Sequence, residues 1–179
     1  MRAGDIHKRK PSFEVMHSSR KTFVLRWWRG ATTDLPEWPK FHNELVFRHS
    51  HAIIALQMED GTPFDYPALF YASPDDRWVV RIQKWASGEN IACLYAVEGE
   101  GRVRRIEPPL DGAAWAFWEK ATHQSTKSLY HRGVRFLRWD RRRQGFWFSL
   151  SAGDTTAHPQ HVREFPLFYD LRTQGIRLR

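Results

Sequence analysis

The stretch Val134-Arg135-Phe136-Leu137-Arg138-Trp139-Asp140-Arg141-Arg142-Arg143-Gln144-Gly145-Phe146-Trp147-Phe148-Ser149-Leu150-Ser151 decides the fold. Two runs rich in aromatic and aliphatic residues flank a short polar break that ends in glycine, which is the pattern of a β-hairpin. A loop at 142–145 joins strands at 134–141 and 146–151 and pairs Arg141 with Phe146, Trp139 with Phe148 and Leu137 with Leu150. This register puts Leu137, Trp139, Phe148 and Leu150 on the buried face. The other face carries Phe136, Arg138, Asp140 and Trp147.

Working outward from the hairpin, residues 89–97 are almost wholly apolar, as a central strand should be. Residues 77–85 alternate, with Trp78, Val80 and Ile82 inward and Val79, Arg81, Gln83 and Trp85 opposite. Between these strands and the hairpin lies the one convincing helix, expected over 111–131. Asp111 is its N-cap, Trp115, Trp118, Ala121 and Leu129 form its apolar stripe, and Gly133 is its stop. Further strands are predicted at 13–17, 22–28, 44–49, 51–58, 68–72, 102–106, 167–171 and 176–178, with an irregular stretch at 29–43 and a short helix at 158–163. The sum is an α+β fold, mainly antiparallel β in a curled sheet or partial barrel, with one principal helix. Its 179 residues fit one compact domain over 13–179, preceded by a flexible basic arm at 1–12 that contains His7-Lys8-Arg9-Lys10.

Composition narrows the function classes. No apolar run reaches the roughly 20 residues that span a bilayer, and the N-terminal residues lack the apolar core of a secretory signal. The lone Cys93 sits inside an apolar run and reads as a core residue, so no intrachain disulfide can form and a reducing cytoplasm is expected. Net charge is +8, distributed as +6 over residues 1–30, −5 over 31–126 and +7 over 127–179. If the two basic ends meet in the fold they make a face suited to a polyanion. Arginine outnumbers lysine 21 to 7, and guanidinium both stacks and forks onto phosphate.

The same alternation leaves Arg26 and Trp28, Arg81 and Trp85, and Arg138 and Trp147 away from the presumed core side of their strands. Guanidinium groups for phosphate and flat rings for bases are what a single-stranded nucleic acid needs, and Arg102, Arg104, Arg105, Arg141, Arg142 and Arg143 add phosphate contacts. An arginine over a tryptophan also forms a cation–π pair that requires no ligand. The function expected is that of a non-catalytic accessory protein binding RNA or DNA, with no cofactor and no membrane partner. A second possibility is an adaptor or inhibitor that docks its basic face on an acidic protein. A third is a histidine-dependent ribonuclease or phosphodiesterase using His49, His51 or His131. His49-Ser50-His51 and His158-Pro159-Gln160-His161 have metal-ligand spacing but no second pair of ligands at a recognised distance, so no metal is assigned. Nucleotide-cradling glycine loops and nucleophile elbows do not occur.

Overall fold

The computed structural model describes residues 13–29, 41–56, 66–86, 88–99, 101–153 and 162–178, without the side chains of residues 13, 29, 85 and 86. The arm expected at 1–12, most of the irregular stretch at 29–43, the short helix expected at 158–163 (all but its last two residues) and the Trp85 side chain lie outside the described residues. Among the described residues, twelve strands form three four-stranded meanders in chain order. The first sheet holds β1 (Phe13–His17), β2 (Phe23–Arg29), β3 (Phe41–Phe47) and β4 (Ile53–Ala55). The middle sheet holds β5 (Ala68–Ala72), β6 (Trp78–Ala86), β7 (Glu89–Val97) and β8 (Val103–Arg105). Helix α1 (Leu110–Thr122) and a 3-10 turn (Thr126–Ser128) lead into the third sheet of β9 (Tyr130–Asp140), β10 (Gly145–Gly153), β11 (Val162–Asp170) and β12 (Gly175–Leu178). Among the described residues every pairing is antiparallel between consecutive strands and no sheet closes into a barrel, so the fold is α+β and mainly β. No described helix is long and apolar enough to cross a membrane.

The middle sheet is buried on both faces. Val80 and Ile82 of β6, with Ala92, Leu94 and Ala96 of β7, face one core, which is completed by Trp115 and Trp118 of α1 and Phe146, Phe148, Leu150 and Leu167 of the third sheet. Val79, Cys93 and Tyr95 face a second core built with Phe23, Leu25, Leu45 and Phe47 of the first sheet. β7 supplies apolar side chains to both sides, which is why it reads as a continuous run. β6 supplies only Val79 to the second core, and its Arg81 and Gln83 are buried on that side with it. Arg81 is 1% exposed, corrected from the outward position that alternation assigned to it. Its guanidinium donates to the Leu56 carbonyl, lies 3.8 Å from Cys93 Sγ and sits over the Tyr95 ring at 5.6 Å. Gln83 beside it donates to the Tyr66 carbonyl. Burial pushes the Cys93 thiol and the Tyr95 hydroxyl above their ordinary pKa ranges although Arg81 pulls both down. Cys93 is a core residue, as expected.

The helix is shorter than its apolar stripe implied. It starts after Pro109 and stops at His123, which takes left-handed geometry. Asp111 lies in the first turn rather than at the cap, and its carboxylate accepts the Ala92 N–H at 3.3 Å, fastening the helix to β7. Beyond Trp118 the chain offers Thr122, His123, Gln124 and Ser125, all weak helix formers except the glutamine. Glu119 accepts both the Thr126 N–H and its hydroxyl at 2.7 Å and so turns the chain back. Gly133, expected as the helix stop, is part of β9.

The 134–151 hairpin forms, but in a different register. Phe146 pairs with Trp139 and Trp147 with Arg138, then a bulge intervenes and Phe148 pairs with Phe136. Leu137 is the extra residue and is 43% exposed, so Phe136 rather than Leu137 joins Trp139, Phe146 and Phe148 in an aromatic cluster. The hairpin turn depends on Gly145, where a Cβ would collide with the Tyr169 carbonyl oxygen and the Phe168 ring. Gly145→Ala is therefore expected to destabilise the fold by about 2 kcal/mol or more, measured as a lower urea midpoint at unchanged m-value. An unaltered midpoint would contradict this packing.

Candidate nucleic-acid interface

In each meander the turns that follow odd-numbered strands lie at one end of the sheet, and the three sheets bring these ends together. Side chains from all six such turns line two adjoining clefts. A cleft of about 490 Å³ is walled by Arg20 of the β1–β2 turn, Arg77 after the β5–β6 turn, Arg141 of the β9–β10 turn and Arg172 of the β11–β12 turn, with Trp78 and Trp139 alongside. The neighbouring cleft, about 540 Å³, shares Arg20, Asp75 and Arg77 with the first and adds Thr22, His49 of the β3–β4 turn and Glu98 beside the β7–β8 turn. Trp78 and Trp139 are half-buried, and Trp139 is braced by Phe136 and Phe146 at centroid distances of 5.4 and 5.2 Å.

One local device recurs at this end. An aspartate in or beside the turn accepts the backbone N–H of an arginine, an arrangement favoured by the short reach of the aspartate side chain. Asp75 accepts from Arg77 N at 3.2 Å, Asp140 from Arg143 N at 3.1 Å and Asp170 from Arg172 N at 3.0 Å. Asp76 does the same across the chain, taking the Arg20 N–H at 3.1 Å together with the Ser18 hydroxyl at 2.6 Å and the Thr22 hydroxyl at 2.8 Å. Burial alone would raise the Asp76 pKa, but these donors outweigh it and hold the carboxyl below its ordinary value. Bonds from the Arg143 backbone and the Trp147 indole likewise lower Asp140. At Asp170 burial is again overcome, by the Arg172 and Thr173 backbone bonds. The four aspartates at this end are thus engaged by turn N–H groups. Asp140 and Asp170 also pair with the Arg143 and Arg172 guanidiniums at 3.9 and 3.5 Å, and Glu98 pairs with Arg104. Among the described residues the guanidinium groups of Arg20, Arg77, Arg141 and Arg142 make no ion pair.

The arginines and tryptophans singled out in the sequence do not share one sheet face. Arg26 and Trp28 are half-buried on the outer side of the first sheet, Arg26 paired with Glu44 at 2.7 Å and Trp28 stacked on His42 at 5.1 Å. Arg81 is interior, as described above. Arg104 and Arg105 on the edge strand β8 pair with Glu98 and Glu107 at 2.7 and 2.5 Å, and exposed Arg102 lies in the β7–β8 turn. Arg138 and Trp147 do lie on the side of the third sheet away from the core, and Arg138 is exposed. Trp147, however, is only 7% exposed, a correction to its expected role as a stacking platform. Its indole donates to Asp140 at 3.2 Å, its ring packs on Phe168 at 5.0 Å, and Arg143 covers it at 5.5 Å. This is the ligand-free cation–π pair. Arg141, Arg142 and Arg143 sit at the turn end as expected.

His49 and His51 share the β3–β4 turn, whereas His131 lies against Gly88 at the opposite end of β6. The nine residues of β6 separate these ends by roughly 26 Å, so the two groups cannot act on one phosphodiester. Among the described residues no cluster of three His, Cys, Asp or Glu could hold a metal ion. Arg20, Arg77 and Arg172 were missed in the sequence, although a signal existed for Arg77 and Arg172. Asp75-Asp76-Arg77, Asp140 three residues before Arg143, and Asp170-Leu171-Arg172 all place an aspartate two or three residues ahead of an arginine at a strand boundary.

No protein-family model matches the chain, and no curated protein matches it.

Asp76→Asn is expected to cost about 1–2 kcal/mol near neutral pH, since it keeps the shape and removes the charge that four donors from Ser18, Arg20 and Thr22 face. Because the folded-state pKa is lowered, the wild-type advantage is complete above the ordinary value of 3.8 and is lost as pH falls through the lowered pKa. Chemical denaturation of both proteins between acid and neutral pH measures this. A gap that widens in acid would refute the assignment.

Proposed function

We propose that this chain binds nucleic acid at the turn end of its three sheets. The observation that carries this function is the 490 Å³ cleft in which four arginines from four different turns converge beside two tryptophan rings. Guanidinium groups match the planar, bidentate geometry of phosphate oxygens, and indole rings offer a surface for bases, so the combination is better suited to a nucleic acid than to a simple anion. The Asp–arginine turns favour the same ligand, because they satisfy the nearby carboxylates internally and leave arginine as the group presented to solvent. The net charge of +8 adds long-range attraction for a polyanion.

Affinity for a labelled single-stranded RNA or DNA should fall steeply with salt, in proportion to the phosphates engaged. Replacing Arg141 and Arg142 by alanine should weaken binding irrespective of base sequence and lower the log–log salt slope by about one for each phosphate that the variant no longer neutralises. Binding that is absent at low ionic strength, or indifferent to salt, would remove the proposal.

A further inference from the structure

The geometry points to a single strand, not a duplex, as the nucleic acid that fills this end. The inference rests on the function proposed above and concerns the shape of the ligand. The two clefts are depressions of about 490 and 540 Å³, each of a size that admits a nucleotide-like group. They are not separate sites, since Arg20, Asp75 and Arg77 line both. Asp75 is exposed on that wall, but one of its carboxylate oxygens is held by the Ser73 hydroxyl at 2.5 Å and the Arg77 N–H, and the two guanidiniums beside it outnumber its single charge. Both arginines are held by the backbone, Arg20 by Asp76 and Arg77 by Asp75, and neither side chain has an ion-pair partner among the described residues. A strand can therefore place one nucleotide against Trp78 and Trp139, rest the next phosphate on the Arg20–Arg77 ridge, and lay the following nucleotide in the cleft that holds His49. Duplex DNA cannot follow that path. Its bases are stacked inside a stiff convex rod, and its phosphates would meet only the rims of the clefts.

The test is fluorescence anisotropy with three labelled probes at low salt: a single-stranded octathymidylate, a dithymidylate, and a blunt duplex with the same number of phosphates per strand as the octamer. The octamer should bind at least about tenfold more tightly than either of the others. The double variant Arg20→Gln, Arg77→Gln should weaken the octamer about tenfold and the duplex less than about twofold. Because both substitutions leave the backbone bonds to Asp75 and Asp76 in place, its melting temperature should match the wild type. Equal or tighter binding of the duplex, or a double variant that weakens both probes alike, overturns the single-strand assignment and leaves nucleic-acid binding standing. Failure of all three probes to bind overturns both.

Discussion

Burial of the middle sheet on both faces is the constraint on which the other features depend. A sheet in that position needs two apolar surfaces from the same few strands, and β7 provides them through Ala92, Leu94 and Ala96 on one side and Cys93 and Tyr95 on the other. Its neighbour β6 meets the demand only partly. Where it places Arg81 and Gln83 between the layers, the carbonyls of Leu56 and Tyr66 receive their donors. A buried guanidinium without such acceptors would be strongly destabilising. With both faces occupied, the first and third sheets are set on opposite sides of a common layer, and Asp76 and Asn90 fix their placement from the ends. Asp76 draws in the β1–β2 turn, and Asn90 accepts the Val134 N–H of β9 at 2.7 Å. That stacking brings hairpin turns 56 residues apart in sequence, those of Arg20 and Asp76, into direct contact.

At the turn end, acidic and basic residues have separate duties. The aspartates close turns and cross-link sheets, while Arg20 and Arg77 contribute only their backbone N–H to the fold and Arg143 and Arg172 add a guanidinium contact to Asp140 and Asp170. This division accounts for a basic surface in a chain whose middle third is acidic by count. The aspartates are present but each is engaged by a backbone N–H, and the guanidiniums of Arg20, Arg77, Arg141 and Arg142 are exposed.

Much of the architecture was legible in the sequence. The strands at 13–17, 68–72 and 89–97 occur with those bounds, the helix begins within one residue of its expected start, and the tryptophan stripe of α1 packs into the core. What was not legible is physical in each case. Alternation cannot reveal that both faces of a strand are covered, so Arg81 was assigned to solvent. A one-residue bulge resets the parity of a strand without any change in composition, so Leu137 exchanged roles with Phe136. The face of Trp147 was assigned correctly, but the Arg143 and Phe168 side chains that cover it arrive from a turn and from a neighbouring strand. The site was legible only in part. The arginine run 141–143 is local and was found, whereas the approach of Arg20 to Arg77 exists only after the sheets stack.

The recurrent Asp–arginine turn also bears on how such a surface can change over time. In each of these turns the residue that stabilises the backbone is distinct from the residue whose side chain meets the solvent, although the two are neighbours. Exchanges at the arginine positions alter the chemistry displayed while the hydrogen bond to the aspartate persists, since every non-proline residue carries the same N–H. The rim of the clefts can therefore diversify in charge, length or aromaticity on an unchanged scaffold, and drift at the aspartates is the part that stability forbids.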